Sequence, residues 1–189
     1  RLSSLEFAGQ AYDDEKGDPM QIRYDGLTVW NGEDELVQDA SLIIDETGRI
    51  AWMGPSAEIP VPWLGLPARD GRGKLAVPGL VNAHTHLYSS LARGLAIEPF
   101  DPSSFTQVLE QLWWRLDKAL DPPAIRASAL VGAMEAARCG VTTLIDHHAS
   151  PSSIPGSLDI VRDAVVDTVG LRGVFCYEIS DRDGEHRRD

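Results

Sequence analysis

Residues after Gly73 alternate between apolar strand-like runs and helix-like runs, and this alternation restricts the fold more than any other feature of the chain. The predicted order is strand 75–86, helices 104–120 and 123–138, strand 141–146, helix 158–169 and strand 171–178. Strands that are nearly free of polar residues and are joined through helices pack as a parallel sheet covered by helices. The sequence therefore predicts an α/β fold.

The residues before this region have a different sequence pattern. Residues 1–20 are predicted to be an acidic, disordered leader. Short β-type runs follow at 21–24, 27–30, 40–44 and 50–53, and 45–48 is predicted to be a hairpin connection. Four prolines between Pro55 and Asp70 predict an irregular linker. We expect 21–73 to be a small antiparallel β unit with its linker, and 74–189 to be the helix-covered sheet.

Charge and composition exclude several classes of protein. The chain of 189 residues has 29 acidic and 17 basic residues, a net charge of −12, which argues against a nucleic-acid partner. Its longest uncharged stretch, 75–92, contains polar side chains and is not expected to span a membrane. Residues 1–20 lack an apolar core, so we expect no secretory signal in them. Cys139 and Cys176 are not spaced as a metal or redox pair, and we expect reduced, partly buried thiols in a cytoplasmic protein.

His84 and His86 end the first strand of the alternating region. Side chains two apart on a strand point to the same face, so both imidazoles are available to one metal ion, while Thr85 points away. A His-x-His segment alone is common, and either histidine can be a core residue. The position at the end of an apolar strand, where barrel enzymes place reactive groups and where unpaired buried imidazoles are costly, favours a metal-binding pair.

Other polar residues at the strand ends are candidates for binding substrate. One of His147 and His148 should face the pocket and the other a helix or solvent, and a structural role is equally open for both. Glu178 contacts substrate or pairs with Arg182 or Arg172.

The loop after the first strand and the first long helix hold further candidates. Tyr88 and Arg93 either bind substrate or anchor this loop, and Asp146 could orient a histidine by a hydrogen bond. Trp114 is predicted opposite the apolar stripe of helix 104–120, where a neighbouring element, a substrate pocket or a second subunit would cover it. The stripe is formed by Phe105, Val108, Leu109, Leu112, Trp113, Leu116 and Leu120, with Trp113 in the core.

Several segments carry a resemblance to a known family. Residues 78–87, Pro-Gly-Leu-Val-Asn-Ala-His-Thr-His-Leu, and 140–146, Gly-Val-Thr-Thr-Leu-Ile-Asp, resemble the amidohydrolase superfamily in its cytosine deaminase and ATZ/TRZ aminohydrolase branch. Within that branch, segments 112–117, 146–151 and 177–184 are similar to SsnA-type aminohydrolases.

The resemblance implies a (β/α)8 barrel, of which this chain holds about three βα units, preceded by part of a small β-sandwich domain. It implies one divalent metal ion, Zn²⁺ before Fe²⁺ or Mn²⁺, held by His84, His86 and later histidines, with an acidic residue as base. Metal-activated hydroxide would attack a carbon–nitrogen bond of a small nitrogen heterocycle. Only the histidine pair can be carried over, so we expect no complete catalytic set in this N-terminal part, and no activity from it alone. The resemblance is also compatible with a homodimer of the intact protein.

A second hypothesis is a non-catalytic half-barrel or a binding or scaffold protein that keeps the fold. A flavodoxin-like domain is disfavoured, because no glycine-rich phosphate loop follows any predicted strand.

Overall fold

The computed structural model describes residues 21–182, and the predicted leader, 1–20, lies outside them. The chain divides into two units, with the boundary between Gly79 and Leu80. No helix in the described part is long and apolar enough to cross a membrane.

The first unit is a mixed sheet of five strands. These are β1 (Ile22–Trp30), β2 (Leu36–Ile44), β3 (Ile50–Pro55), β4 (Ala68–Asp70) and β5 (Leu75–Ala76). The order is β3-β2-β1-β4, and β5 also pairs with β1. The first three strands are antiparallel neighbours, whereas β4 and β5 run parallel to β1. Leu27, Val29, Ala40, Leu42 and Ile44 form its core.

Local turn chemistry accounts for the antiparallel part. Asp45 Oδ1 accepts a hydrogen bond from the Thr47 amide at 2.9 Å, and Gly48 has φ +80°, so the predicted hairpin between β2 and β3 is confirmed. The two runs predicted at 21–24 and 27–30 are one strand, β1, with a register shift and a positive φ at Gly26 between them.

Two predictions around the prolines are wrong. The segment 55–70 contains two 3-10 helices, Ser56–Glu58 and Val61–Trp63, and ends in β4. The continuous strand predicted at 75–86 is divided, because β5 pairs with β1 whereas the next strand belongs to the second unit. Pro78 lies between them and has no amide hydrogen to donate to a sheet.

The second unit contains the predicted parallel sheet. Its strands are β6 (Leu80–Thr85), β7 (Val141–His148) and β8 (Arg172–Tyr177), in the order β6-β7-β8, and both pairs are parallel. β7 is two residues longer than predicted and includes His147 and His148. In the β7–β8 register, His147 lies beside Cys176.

Helices connect these strands. They are a 3-10 helix (Leu87–Ala92), α1 (Phe105–Val108), a π-helix (Leu109–Trp113), α2 (Trp114–Lys118), α3 (Pro122–Arg138), α4 (Ser157–Arg162) and a second π-helix (Asp163–Thr168). Ser104 caps α1, and Asp121 caps α3 by accepting from the Ala124 amide at 2.8 Å. Ser157, predicted as a cap, is instead the first residue of α4 and donates its hydroxyl hydrogen to the Ile154 carbonyl.

The π-helix changes the apolar stripe predicted for 104–120. A π turn contains one more residue than an α turn, so the residues after it are rotated relative to those before it. Phe105 is 74% exposed and is not part of the core, Trp113 is only half-buried, and Asp117 is 1% exposed. The assumption of a uniform α period is therefore wrong for this segment.

The helices cover one face of the parallel sheet. Leu144 of β7 packs with Ile125 and Ala129 of α3 and with Val161 and Val165 from the α4 region. The other face is open, and Val81, Ile145 and Val174 are exposed there. Cys139 and Cys176 are both free and exposed, which corrects the expectation of partly buried thiols.

Candidate functional site

The His84 and His86 imidazoles lie side by side at the end of β6. Their Nε2 atoms are 3.1 Å apart and their ring centroids 4.9 Å apart. His84 is exposed and His86 is half-buried, so the desolvation cost expected from full burial does not apply. The prediction that both side chains share one face is confirmed by this contact.

A backbone carbonyl fixes the orientation of His86. His86 Nδ1 lies 2.9 Å from the carbonyl oxygen of His147. A carbonyl oxygen can only accept, so Nδ1 carries the hydrogen and Nε2 of the neutral ring keeps its lone pair. Ligating histidines are commonly held by such a bond. The carbonyl was missed from the sequence, because any residue at position 147 would supply it.

The pair fits two positions of a divalent metal site. Tetrahedral coordination with Zn–N distances of about 2.0–2.1 Å separates two ligand nitrogens by about 3.3 Å, close to the observed 3.1 Å. Residues 21–182 contain no group of three or more His, Cys, Asp and Glu side chains able to hold a metal ion. The described chain therefore offers two ligands and not a complete set.

His147 and His148 face opposite sides of the sheet. The His147 ring lies 5.5 Å from the His86 ring, on the open face. His148 is fully buried, its Nε2 lies 2.9 Å from Ser150 Oγ, and its ring contacts those of Tyr88 and Tyr177 edge-on. Burial lowers the pKa of His148 to about 4, with a smaller effect from His147. A substrate-binding role for His148 does not fit this burial.

Asp146 anchors the loop that follows β6. Its Oδ1 accepts a hydrogen bond from the Leu87 amide at 2.7 Å, and the side chain is fully buried. Burial raises the pKa of Asp146 to about 6, against the lowering effects of the Leu87 amide and of His86. The expected hydrogen bond to a histidine ring is absent from the contacts of this side chain, so Asp146 positions the loop.

Tyr88 lies on this loop, beside the histidine pair. Its ring centroid is 5.8 Å from that of His86 and 5.9 Å from that of His148. Burial, followed by the charges of Asp117 and Glu178, raises the pKa of Tyr88 to about 12, so the phenol is a neutral hydrogen-bond donor. Arg93, in contrast, pairs with Glu135 of α3 at 3.1 Å and serves as a loop anchor.

A charged group, which we call the Arg182 cluster, joins α2 to the segment after β8. It consists of Trp114, Asp117, Glu178 and Arg182. The Arg182 guanidinium pairs with the buried Asp117 carboxylate and lies 3.4 Å from Glu178 Oε1. Its Cζ lies 5.2 Å from the centroid of the Trp114 ring. Of the partners considered for Glu178, the structure shows Arg182, and Arg182 also covers one side of Trp114. A substrate-facing role of either residue stays a prediction.

Comparison with known proteins identifies the family. Residues 75–189 match the model of the amidohydrolase family, which is more than half of the chain. The chain belongs to the amidohydrolase family. The histidine pair lies inside the matched region.

Two of the curated relatives are deaminases. The chain is 30% identical over 158 residues to 5'-deoxyadenosine deaminase of Methanopyrus kandleri. The aligned region covers 82% of this chain and 34% of that protein. It is 30% identical over 162 residues to 5-methylthioadenosine/S-adenosylhomocysteine deaminase of Pyrococcus furiosus, covering 86% and 34%. The chain thus spans about a third of the length of these relatives.

Solved structures give the same fold. Atrazine chlorohydrolase TrzN from Arthrobacter aurescens TC1, complexed with zinc, matches with a TM-score of 0.63 and 28% identity over 82% of this chain and 35% of that chain. E. coli guanine deaminase matches with a TM-score of 0.66 over 90% and 39%, and its 19% identity supports the fold alone. The predicted fold class, α/β with part of an amidohydrolase barrel, is confirmed.

Proposed function

We propose that this chain contributes the first two metal ligands, and part of the substrate pocket, to a hydrolase that acts on a carbon–nitrogen bond of a nitrogen heterocycle. The observation that carries the proposal is the His84–His86 pair, with Nε2 atoms 3.1 Å apart and the His86 ring held by the His147 carbonyl. The deaminase activities named for the relatives support this reaction class.

We propose Zn²⁺ as the ion, since neutral imidazole suits it and a zinc complex is known for the TrzN neighbour. Fe²⁺ and Mn²⁺ are the competing ions. When bound, such an ion supplies a nucleophile at neutral pH by lowering the pKa of water to about 7.

The residues of this chain would hold the metal ion and orient the substrate. His84 and His86 present two lone pairs, and His147 fixes the second ring through its carbonyl. Tyr88, neutral at physiological pH, can donate a hydrogen bond to an acceptor atom of the substrate. The His147 ring borders the open face beside His86. We propose that protonation of the leaving nitrogen falls to residues outside 21–182, and that the 189-residue chain alone is inactive.

We propose that, within the family, the protein resembles SsnA-type aminohydrolases. The proposal rests on segments 112–117, 146–151 and 177–184. These segments contain every member of the Arg182 cluster, together with His147 and His148, so the similarity lies in the residues that surround the candidate pocket.

The proposal is tested on the protein encoded by the full reading frame that contains this chain. Metal content and ammonia release from amine-bearing heterocycles are measured for the unmodified protein, for His84→Ala and for a control, Thr85→Ala, whose side chain lies outside the pair. We expect His84→Ala to lose bound metal by at least about tenfold and Thr85→Ala to retain it. Unchanged metal content in His84→Ala would contradict the metal assignment.

The same samples separate the two function classes. Metal-dependent ammonia release supports the hydrolase, whereas metal binding without turnover of any heterocycle tested supports a binding protein that keeps the fold. Ammonia release by the purified 189-residue chain, with metal supplied, would contradict the proposal that it is inactive alone.

A further inference from the structure

The Arg182 guanidinium has acidic and aromatic partners. Its Nη2 atom pairs with Asp117 and lies 3.4 Å from Glu178, and its Cζ lies over the Trp114 ring at 5.2 Å from the centroid. The Arg182 side chain is only 13% exposed. A guanidinium committed in this way is not available to bind a carboxylate or phosphate of a substrate.

Two carboxylates of the cluster share one guanidinium nitrogen, Nη2 of Arg182. Asp117 is buried and pairs with Arg182, whereas the Glu178 side chain is 30% exposed and its oxygen lies farther from the guanidinium. Of the two carboxylates, Glu178 is therefore the one that presents its charge to a ligand.

This carboxylate lies at the same strand ends as the histidine pair. The Glu178 amide donates a hydrogen bond to the His148 carbonyl at 2.8 Å, one residue from the His147 carbonyl that holds His86. Tyr88 is in ring contact with His86, and the charge of Glu178 acts on its phenol. The other arginine on the loop after β6, Arg93, is paired with Glu135. On the two loops that flank the pocket in residues 21–182, both arginines are thus ion-paired.

We propose that Glu178, held by Arg182, determines the charge class of the substrate: an amine-bearing heterocycle whose substituents are neutral or cationic. The inference rests on the proposed function and deepens it. An anionic substituent would meet a like charge, and in residues 21–182 both arginines of the flanking loops are already ion-paired. Like-charge juxtaposition is a strong means of rejecting a ligand. The charge of a bound metal ion acts equally on every member of a series built on one ring, so it does not alter the comparison.

The test measures binding of two matched series to the protein from the full reading frame by calorimetry. One series is 5′-amino-5′-deoxyadenosine, 5′-deoxyadenosine and adenosine-5′-carboxylate, and the other carries the same ammonium, methyl and carboxylate groups on an amino-s-triazine. In the series that binds, we expect the neutral and cationic members to bind at least about tenfold more tightly than the anionic one.

Variants identify the residue responsible. Glu178→Gln should reduce this ratio by about tenfold, because it removes the exposed charge and leaves the Arg182–Asp117 pair that supports the fold. Glu58→Gln, the same chemical change at an exposed residue of the first unit, should leave the ratio unchanged. An unchanged ratio in Glu178→Gln would overturn the assignment of Glu178.

The outcomes distinguish this inference from the proposed function. Equal binding of anionic and neutral members, with metal-dependent ammonia release, overturns the inference and leaves the hydrolase standing. Charge-selective binding without ammonia release overturns the hydrolase and supports the charge preference of the pocket. Binding of no member of either series overturns the inference.

Discussion

Asp146 and His148 are two buried ionisable residues on the helix-covered side of β7, and burial acts on them in opposite directions. The pKa of Asp146 is raised to about 6, and that of His148 is lowered to about 4. Both residues are therefore driven toward their neutral forms, and both are fully buried behind the histidine pair.

Their contributions to stability oppose each other with pH. His148 has a lowered pKa, so its contribution is present above about pH 6.5 and is lost as pH falls toward about 4. Asp146 has a raised pKa, so its contribution is present below about pH 4 and is lost as pH rises through about 6. Each effect is on the order of 3 kcal/mol, and the two act in opposite directions.

The prediction is tested by urea unfolding of the chain between pH 4.5 and 6.5. Relative to the unmodified chain, His148→Gln should lose stability as pH rises, because the opposing effect of His148 is removed and that of Asp146 remains. Asp146→Asn should gain stability over the same interval. Identical slopes in the two variants would contradict the opposed pKa shifts.

The sequence was sufficient to predict that His84 and His86 lie together, but not to predict the contacts of the Arg182 cluster. The histidine contact follows from the two-residue period of one strand, which is a local property. The Asp117–Arg182 contact joins residues 65 positions apart, and no local pattern encodes it. Asp117 also follows a π turn, which brings a residue of the polar side into a buried position.

At the scale of elements, the close approach of Gly71 to β1 is a sensitive point of the first unit. A Cβ placed on Gly71 would lie 2.8 Å from the Asp25 carbonyl oxygen and 2.7 Å from the Leu27 side chain. The Gly71 amide also donates to the Asp25 carbonyl at 2.8 Å, so the two backbone segments cannot separate without losing this bond.

We therefore expect Gly71→Ala to lower the free energy of unfolding by about 1–3 kcal/mol. Gly65→Ala is the matched control, since nothing lies within 4 Å of a Cβ at that position. Denaturant unfolding of both variants measures the difference. Equal stability of the two would show that the β1 contact can relax.

The elements themselves were predicted with uneven success. The βα order after Gly79 follows from apolar runs and helix caps, which are local signals. The assignment of β5 to the first sheet depends on its pairing with β1, about 47 residues earlier, and strand pairing over such distances leaves no signature in the run itself. The same holds for β4, whose three residues follow a proline-rich stretch.

At the scale of the whole molecule, the open face of the parallel sheet is expected to determine whether the chain self-associates. Val174 is 57% exposed there, and β6 and β8 are the two edges of the described sheet. Exposed apolar strands with free edges promote self-association.

We expect the 189-residue chain to self-associate, and Val174→Lys to raise the concentration at which it remains monomeric. Met134→Lys, at an exposed apolar residue of α3, adds the same charge on the helical side and should have a smaller effect. Sedimentation velocity over a concentration series measures both. Equal effects would indicate that net charge, and not the open face, controls association.

The two exposed cysteines allow the covering of the open face to be followed by chemical modification. Cys176 lies on β8 beside His147, on the open face, whereas Cys139 is the C-cap of α3. An alkylating reagent should modify both thiols at comparable rates in the 189-residue chain. In a longer protein whose further strands cover that face, Cys176 should react more slowly while Cys139 keeps its rate, so the ratio of the two rates reports directly on closure of the barrel.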